Sequence, residues 1–233
     1  MYTFRKYDVK KDIASVKRIW LEVQWIEAGA DENYLEPFLT GGRALVAELN
    51  QSAECLVAAK SGSLQYLNEE LTLSVVASVT TSRIARKQGL AKRLTAQLIA
   101  EEAEAGALVS TLGIFEQGFY EQLGYGAGAY EHWMSFDPAD LKINGKMRPP
   151  LRLTRDDWKL MHAALIHRKR RHGGVNLYPE QYLQAELGWS KDGFGLGYKD
   201  GPNGELTHYF WATSQGEHGP ATVHAIAFQN MDQ

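Results

Sequence analysis

The chain of 233 residues carries one cysteine, Cys55, which excludes an internal disulfide. Its flanks (Ala-Glu before it, Leu-Val-Ala-Ala after it) read as strand, so the thiol is either a small buried hydrophobe or a catalytic nucleophile. No stretch approaches the ~20 consecutive apolar residues that a membrane helix needs. The opening Met-Tyr-Thr-Phe-Arg-Lys-Tyr-Asp has no apolar signal core, and the expected address is the cytoplasm. A basic excess is also missing. Against 25 Lys and Arg stand 28 Asp and Glu, a formal net charge of −3, which argues against a protein whose main task is gripping nucleic acid. The seven histidines form no His-x-x-x-His or Cys/His cluster at ligand spacing, and no metal is expected. Two phosphate-binding patterns are absent as well, the Gly-x-x-x-x-Gly-Lys-Ser/Thr loop of nucleotide hydrolases and the Gly-x-Gly-x-x-Gly of dinucleotide folds.

What is present is ordinary globular composition, 44% apolar and 23% charged. A chain this long can bury a sizeable core, and its length suits one full domain plus a smaller one. Residues 2–7 alternate as a short strand. Asp8 is placed to cap a helix over residues 9–27, where Ile13, Val16, Ile19, Trp20 and Val23 recur near helical spacing. Residues 28–42 read as loop with a helical turn or more. The period then changes: residues 44–48, 55–60 and 71–81 are β-rich runs parted by turn signals. Leu90, Leu94 and Leu98 mark a helix that Gly106 ends. Strand 108–114, a short helix 116–122 stopped at Gly124 and strand 130–136 complete an alternating α/β order with helices on the sheet faces.

The stretch 139–150, ending in Arg148-Pro149-Pro150, reads as a linker between a first unit, residues 1–138, and a second, residues 151–233. The second opens as the first does: strand, cap, helix, with Thr154 and Asp157 at capping-box spacing. Residues 194–199, 206–213 and 221–228 read as its strands, and the unit looks incomplete, the front half of a domain. The basic run His167-Arg168-Lys169-Arg170-Arg171-His172 is either the C-terminus of a helix, where cations are favoured, or a contact surface for a partner or anion.

The principal chemical signal is Arg86-Lys87-Gln88-Gly89-Leu90-Ala91, set between a strand and an amphipathic helix. A helix N-terminus presents unpaired N–H groups and a positive dipole end, and glycine lets backbone approach a phosphate closely. Arg83, Arg86 and Lys87 add positive potential. A second motif, Gly118-Phe119-Tyr120-Glu121-Gln122-Leu123-Gly124-Tyr125-Gly126, lies about 30 residues further on.

The two together resemble the acetyl-CoA pyrophosphate motif and the later Phe-Tyr-x-x-x-Gly-Phe/Tyr helix of the GNAT superfamily of N-acetyltransferases. The nearer resemblance is to its enhanced-intracellular-survival-like branch of tandem GNAT units, carried by Tyr-x-x-Leu-Gly-Tyr-Gly, by the long strand at 71–81 and by the second strand–helix start at Leu151. It covers the first 136 residues well and residues 150–233 loosely. The resemblance implies a mixed α/β (α+β) GNAT fold, a central sheet flanked by helices, followed by a partial second GNAT-like unit. It implies acetyl-CoA as co-substrate, bound by Arg86, Lys87, Gln88, Gly89, Leu90 and Ala91 and, along the central strand, by Ser78, Val79 and Thr80. It implies transfer to a primary amine, on a small molecule or a lysine side chain, and suggests homo-oligomeric assembly.

Tyr120 is implied as the general acid, since a phenol with a pKa near ~10 is protonated at neutral pH; the alternative is a core aromatic. Trp20, Trp25, Glu27, Asp31, Glu32 and Tyr34 stand where the family builds one wall of its acceptor pocket, or are core tryptophans and solvated acids. A departure from the branch is the missing third domain, so a general base supplied by a distant C-terminal carboxylate is not to be expected from these residues. The alternative function is a non-catalytic acyl-CoA-binding or regulatory module.

Overall fold

The computed structural model describes residues 1–114, 116–128, 132–142 and 148–230, apart from the side chain of Ala30. Two sheets carry the fold. The first takes β1 (Thr3–Lys6), β2 (Gly42–Leu49), β3 (Ser52–Tyr66), β4 (Glu69–Thr81) and β5 (Val109–Leu112) in that order. The pairs β1·β2, β2·β3 and β3·β4 are antiparallel, whereas β4 and β5 run parallel. Parallel neighbours need a crossover. It is supplied by α3 (Leu90–Glu104), which covers one face, while α1 (Val9–Glu22) and α2 (Leu35–Leu39) cover the other.

A sheet buried on both faces needs strands that are apolar at consecutive positions, and Ala44–Ala47 of β2 and Cys55–Ala59 of β3 are. Val46, Leu56 and Ala58 turn to Val16, Ile19, Trp20, Leu35 and Phe38. Leu45, Ala47, Cys55, Val57 and Ala59 turn to Leu90, Leu94 and Leu98. Asp8 caps α1, its carboxylate accepting from the Lys10 amide at 2.9 Å.

The second sheet has the order β10 (Ala221–Ala227), β9 (His208–Ser214), β8 (Phe194–Tyr198), β6 (Leu151–Leu153), all antiparallel. Beneath it pack α4 (Trp158–His167) and α5 (Glu180–Trp189), around Leu153, Met161, Leu183, Leu187 and Trp211. The Thr154–Asp157 capping box forms ahead of α4.

The sequence reading passes over two elements between residues 175 and 189. Strand β7 (Val175–Leu177) pairs antiparallel with Gly62, Ser63 and Leu64 of β3, in line with β2 where β2 ends. Helix α5 inserts between both cores: Ala185 joins the core of the first sheet, while Leu183 and Leu187 join that of the second. Gly188 lies so close to Tyr34 that a Cβ would stand 2.2 Å from the ring. The Trp189 ring packs 5.3 Å from Phe38 and its Nε1 donates to Asp31 O at 3.0 Å.

The basic run belongs to this seam. Arg168 donates to the carbonyls of Leu165 and Val175 and to Asn176 Oδ1, Arg170 binds Ser63 Oγ (3.1 Å) and pairs with Glu70, and His172 Nδ1 accepts from the Leu67 amide.

Two expectations are corrected. Residues 132–136 form no strand, while Tyr130 and Glu131 lie outside the described residues. The helix expected at 116–122 is a turn followed by one 3-10 turn, Glu121–Leu123, stopped by Gly124 at φ 88°. Three glycines within nine residues, at 118, 124 and 126, leave too few helix formers to propagate an α-helix.

Lys60 is fully buried in β3, its ammonium donating to Thr40 O at 3.0 Å and standing 5.4 Å from the Phe38 ring centroid. Burial pushes its pKa down to about 8. Between about pH 8 and the ordinary lysine range near 10 the unfolded chain therefore holds the extra proton, and this group makes stability rise with pH. Lys60→Met is expected to raise stability at pH 7 by about 1–2 kcal/mol, net of the lost hydrogen bond. The gain should shrink as pH climbs from 8 to 10. Denaturant unfolding across that range checks it, and a variant less stable than wild type at pH 7 would refute it.

Candidate active site

The site grows from the way β4 loses a neighbour. β5 pairs with β4 only from Leu73 to Val76. At that point the register with β3 skips Ala77, passing from Ala59↔Val76 to Ala58↔Ser78. Such a bulge sharpens the local twist and re-aims the strand. Beyond it, among the described residues, Ser78 to Thr81 pair with β3 on one edge only. The amide of Ser82 donates to Glu54 O at 2.9 Å. Antiparallel alternation then turns the main-chain groups of Thr80 and Ser78 toward β3, and those of Val79 and Thr81 toward the open edge.

The strand runs into a 3-10 turn, Arg83–Ala85, and then into α3. Lys87 and Gly89 take left-handed φ values of 61° and 72°. Gly89 is the residue ahead of α3, no side chain caps the helix, and a Cβ built on Gly89 would meet nothing within 4 Å. The first-turn N–H groups thus face open space, at the positive end of a 15-residue helix. Arg86, Lys87 and Gln88 are exposed, with Gln88 Nε2 donating to Ile84 O; Leu90 is buried in the core and Ala91 is half-buried. Arg83 is otherwise engaged: its amide donates to a Glu22 carboxylate oxygen and its guanidinium to Glu22 O, both at 2.9 Å. It belongs to the joint with α1 rather than to the cradle.

The segment bearing Tyr120 is tied down twice. Tyr125 shares a 2.6 Å hydrogen bond with Ser110 of β5, and Lys92 Nζ in the first turn of α3 donates to Gln122 Oε1 at 2.9 Å. Between α3 and this turn lies a groove of about 600 Å³, lined by Gly89, Lys92, Ala96, Gln122 and Leu123 among others. Tyr120 is half-buried against Phe119 and Tyr125, with ring centroids 4.9 and 6.1 Å away. Burial, with Tyr125 and Glu116 nearby, raises its pKa above the ordinary phenol value and keeps it protonated.

The open edge of β4 and the Arg-x-x-Gly-x-Ala segment therefore belong to one strand–helix–strand crossover, and the Phe-Tyr segment is the turn that follows its last strand. The sequence reading missed the Lys92–Gln122 and Tyr125–Ser110 ties. Both join residues 15 or more apart, a pairing that no local pattern signals.

A GNAT acetyltransferase domain matches residues 3–128, more than half of the chain. The chain belongs to the GNAT acetyltransferase family. Three solved structures share its fold from end to end, each matching 99% of this chain. They are a GCN5-related N-acetyltransferase from Kribbella flavida (17% identical, TM-score 0.70), Eis1 from Mycobacterium abscessus (13%, 0.68) and a conserved protein of Enterococcus faecalis V583 (13%, 0.67). The chain spans 58–59% of the length of those structures. No curated protein matches the sequence. The GNAT crossover described above thus sits in a fold shared with these three structures.

Among the described residues, no three His, Cys, Asp or Glu side chains lie close enough to hold a metal, and no helix is long and apolar enough to cross a membrane. Cys55 is fully buried in the α3-side core, where burial pushes its thiol up to about 11. A thiol so placed is neither ionised nor reachable, which disfavours a covalent cysteinyl intermediate. Iodoacetamide at pH 7.5 is expected to leave Cys55 unmodified in the folded protein and to label it after denaturation; mass spectrometry reads both. Rapid labelling of the native chain would contradict this placement.

Proposed function

We propose that the chain is an acetyl-CoA-dependent N-acetyltransferase acting on a primary amine, on a small molecule or a lysine side chain, by direct attack in a ternary complex. Residues 1–138 are its catalytic unit and residues 151–233 a second GNAT-like unit that buttresses it. The observation that carries this reading is the parting of β4 from β5 at the Ala77 bulge, followed at once by an uncapped helix N-terminus behind Gly89. The empty space at the Gly89 Cβ position suits close approach of a pyrophosphate to the backbone.

In this reading the amides of Gln88, Gly89, Leu90 and Ala91 hold the pyrophosphate, and Arg86 and Lys87 supply positive potential. Of the expected β4 residues, Ser78 and Thr80 spend their main-chain groups on β3, so the pantetheine arm falls to the main-chain groups of Val79 and Thr81, in place of the missing β5 neighbour. Acetyl-CoA supplies an activated acyl group on a thiol leaving group. An N–H at the open edge polarises the acyl carbonyl, a donor fixed before reaction begins. Tyr120 donates its hydroxyl proton toward the departing thiolate.

Calorimetric titration of acetyl-CoA tests the cradle. The wild type is expected to bind, and Gly89→Glu to bind about 100-fold or more weakly, since a carboxylate would face the pyrophosphate. Absence of binding by the folded wild type would remove the reading. Thiol release with an aminoglycoside, a polyamine and a lysine peptide then tests turnover. Tyr120→Phe should bind acetyl-CoA normally and turn over ~100-fold more slowly. Unchanged turnover would take Tyr120 out of the mechanism, and binding without any turnover would favour the non-catalytic acyl-CoA-binding module.

A further inference from the structure

A proton donor is useful only where it is held, and little packing holds Tyr120. None of residues 116–128 is fully buried. The segment has no α-helix, only a turn and the 3-10 turn Glu121–Leu123. A side chain on such a segment is placed by the few bonds that tie it to the rest of the molecule. Two side-chain ties reach it from outside. The Lys92–Gln122 hydrogen bond is exposed and joins two long side chains, which lose much rotamer freedom in making it. The Ser110–Tyr125 bond is shorter, at 2.6 Å, is half-buried, and joins two side chains with few rotamers.

Ser110 stands on the firmest part of β5. It lies opposite Ser74 of β4, inside the stretch Leu73–Val76 where the two strands are paired and before they part. Leu112, two residues on, packs with the α3-side core, so the Ser110 side chain turns to that side too. From Ser110 the contacts run through Tyr125 to Tyr120. The Tyr125 amide donates to Tyr120 O at 3.3 Å, and the Leu123 amide donates to the same carbonyl at 2.9 Å. Gly124, at φ 88°, lets the chain turn back so that residues 120 and 125 meet. The Tyr125 ring stands edge-on to that of Tyr120, with centroids 6.1 Å apart. Main chain and ring of Tyr125 thus both bear on Tyr120, while its hydroxyl bears on β5.

We propose that Ser110 and Tyr125 are positioning residues for acetyl transfer, their hydrogen bond setting the distance from the Tyr120 hydroxyl to the sulfur of acetyl-CoA. The proposal rests on the acetyltransferase reading above. Both residues act through Tyr120 and take no part in the chemistry. Cutting the bond leaves Tyr120 on a glycine-rich turn, and a donor displaced by about 1 Å can cost ~100-fold in rate. The cradle behind Gly89 is built from other residues, so acetyl-CoA affinity does not depend on this bond.

Ser110→Ala and Tyr125→Phe each delete one hydroxyl of the pair. With the fastest amine among an aminoglycoside, spermidine and a lysine peptide, each should lower kcat ~10–100-fold, with acetyl-CoA affinity by calorimetry changing less than about twofold. The double variant should be no slower than the slower single variant, because both changes remove the same bond. Ser110→Thr keeps the hydroxyl and should hold kcat within about threefold of wild type. In a Tyr120→Phe background, Ser110→Ala should change kcat less than about twofold, since no donor is left to position. A residue that merely stabilised the fold would slow that background as well.

Wild-type kcat in either folded variant, Ser110→Ala or Tyr125→Phe, would overturn the proposal. So would an undiminished loss in the Tyr120→Phe background, or a loss of acetyl-CoA affinity matching the loss of kcat. Full turnover by Tyr120→Phe alone would leave nothing to position, with the same result. A wild type that acetylates none of the amines would end the acetyltransferase reading and this proposal with it. Wild-type turnover with unaffected variants ends the proposal alone.

Discussion

The rest of the molecule depends on a strand with one neighbour too few. β4 is held along its whole length by β3, yet β5 releases it after Val76. A main chain at a sheet edge is a row of unmet donors and acceptors, normally a liability that proteins cover or charge. Here the bulge at Ala77 turns the freed edge away, and both faces of the strand are packed, by α1 on one side and α3 on the other. The edge is therefore rigid as well as open. Preorganised main-chain donors are effective because no reorganisation is needed when charge develops beside them. In the proposed reading the helix that follows supplies the anion site, and no large basic field is needed to hold a phosphate-bearing ligand, in keeping with a formal net charge of −3.

Rigidity of that edge comes partly from residues far along the chain. β3 extends beyond β2, and its bare flank at Gly62–Leu64 is filled by β7. The pairing is close: a Cβ on Gly62 would stand 2.1 Å from Asn176 O, so glycine is what admits the strand there. Arg168 then satisfies two carbonyls and the Asn176 amide oxygen around the join, and Arg170 crosses to Ser63 and Glu70. Buried and half-buried arginines of this kind position elements through several fixed donors rather than through net attraction. The run that reads as a charged surface in sequence thus locks residues 168–178 onto the long β3–β4 hairpin.

The strands, the capped helices and the helix-opening glycine could be read from sequence because each is a local decision. Asp8, the Thr154–Asp157 box, the leucines of α3 and the apolar run of β4 each act within a few residues. β7 could not be read, since three residues carry no period. Helix α5 was more accessible: Pro179 precedes it, and Leu183, Leu187, Tyr182 and Trp189 fall at helical spacings. Its split loyalty between two cores was not, because that depends on which elements arrive on either side. The same holds for the aromatic group near α1. Trp20 packs against Trp25, Phe38 and Trp189, a cluster assembled from three distant segments. In the site, Gly89 and Tyr120 stand out as motif residues, whereas the point at which β5 parts from β4 emerges only once the two strands are in register.

In the proposed mechanism two chemical demands oppose each other at Tyr120. Its desolvation raises its proton affinity, which keeps the phenol in the donating form at every physiological pH. The same shift makes full transfer to a thiolate unfavourable, since an ordinary thiol has a pKa near ~8.5. The phenol is therefore best suited to stabilise developing charge on sulfur through a hydrogen bond that strengthens as the bond to carbon lengthens, with the proton reaching sulfur only after the thiolate departs. On the other side of the bond being made, the amine must lose a proton before it can attack. A phenol that holds its proton tightly cannot also take up the ammonium proton, so in this reading the two proton movements use different groups.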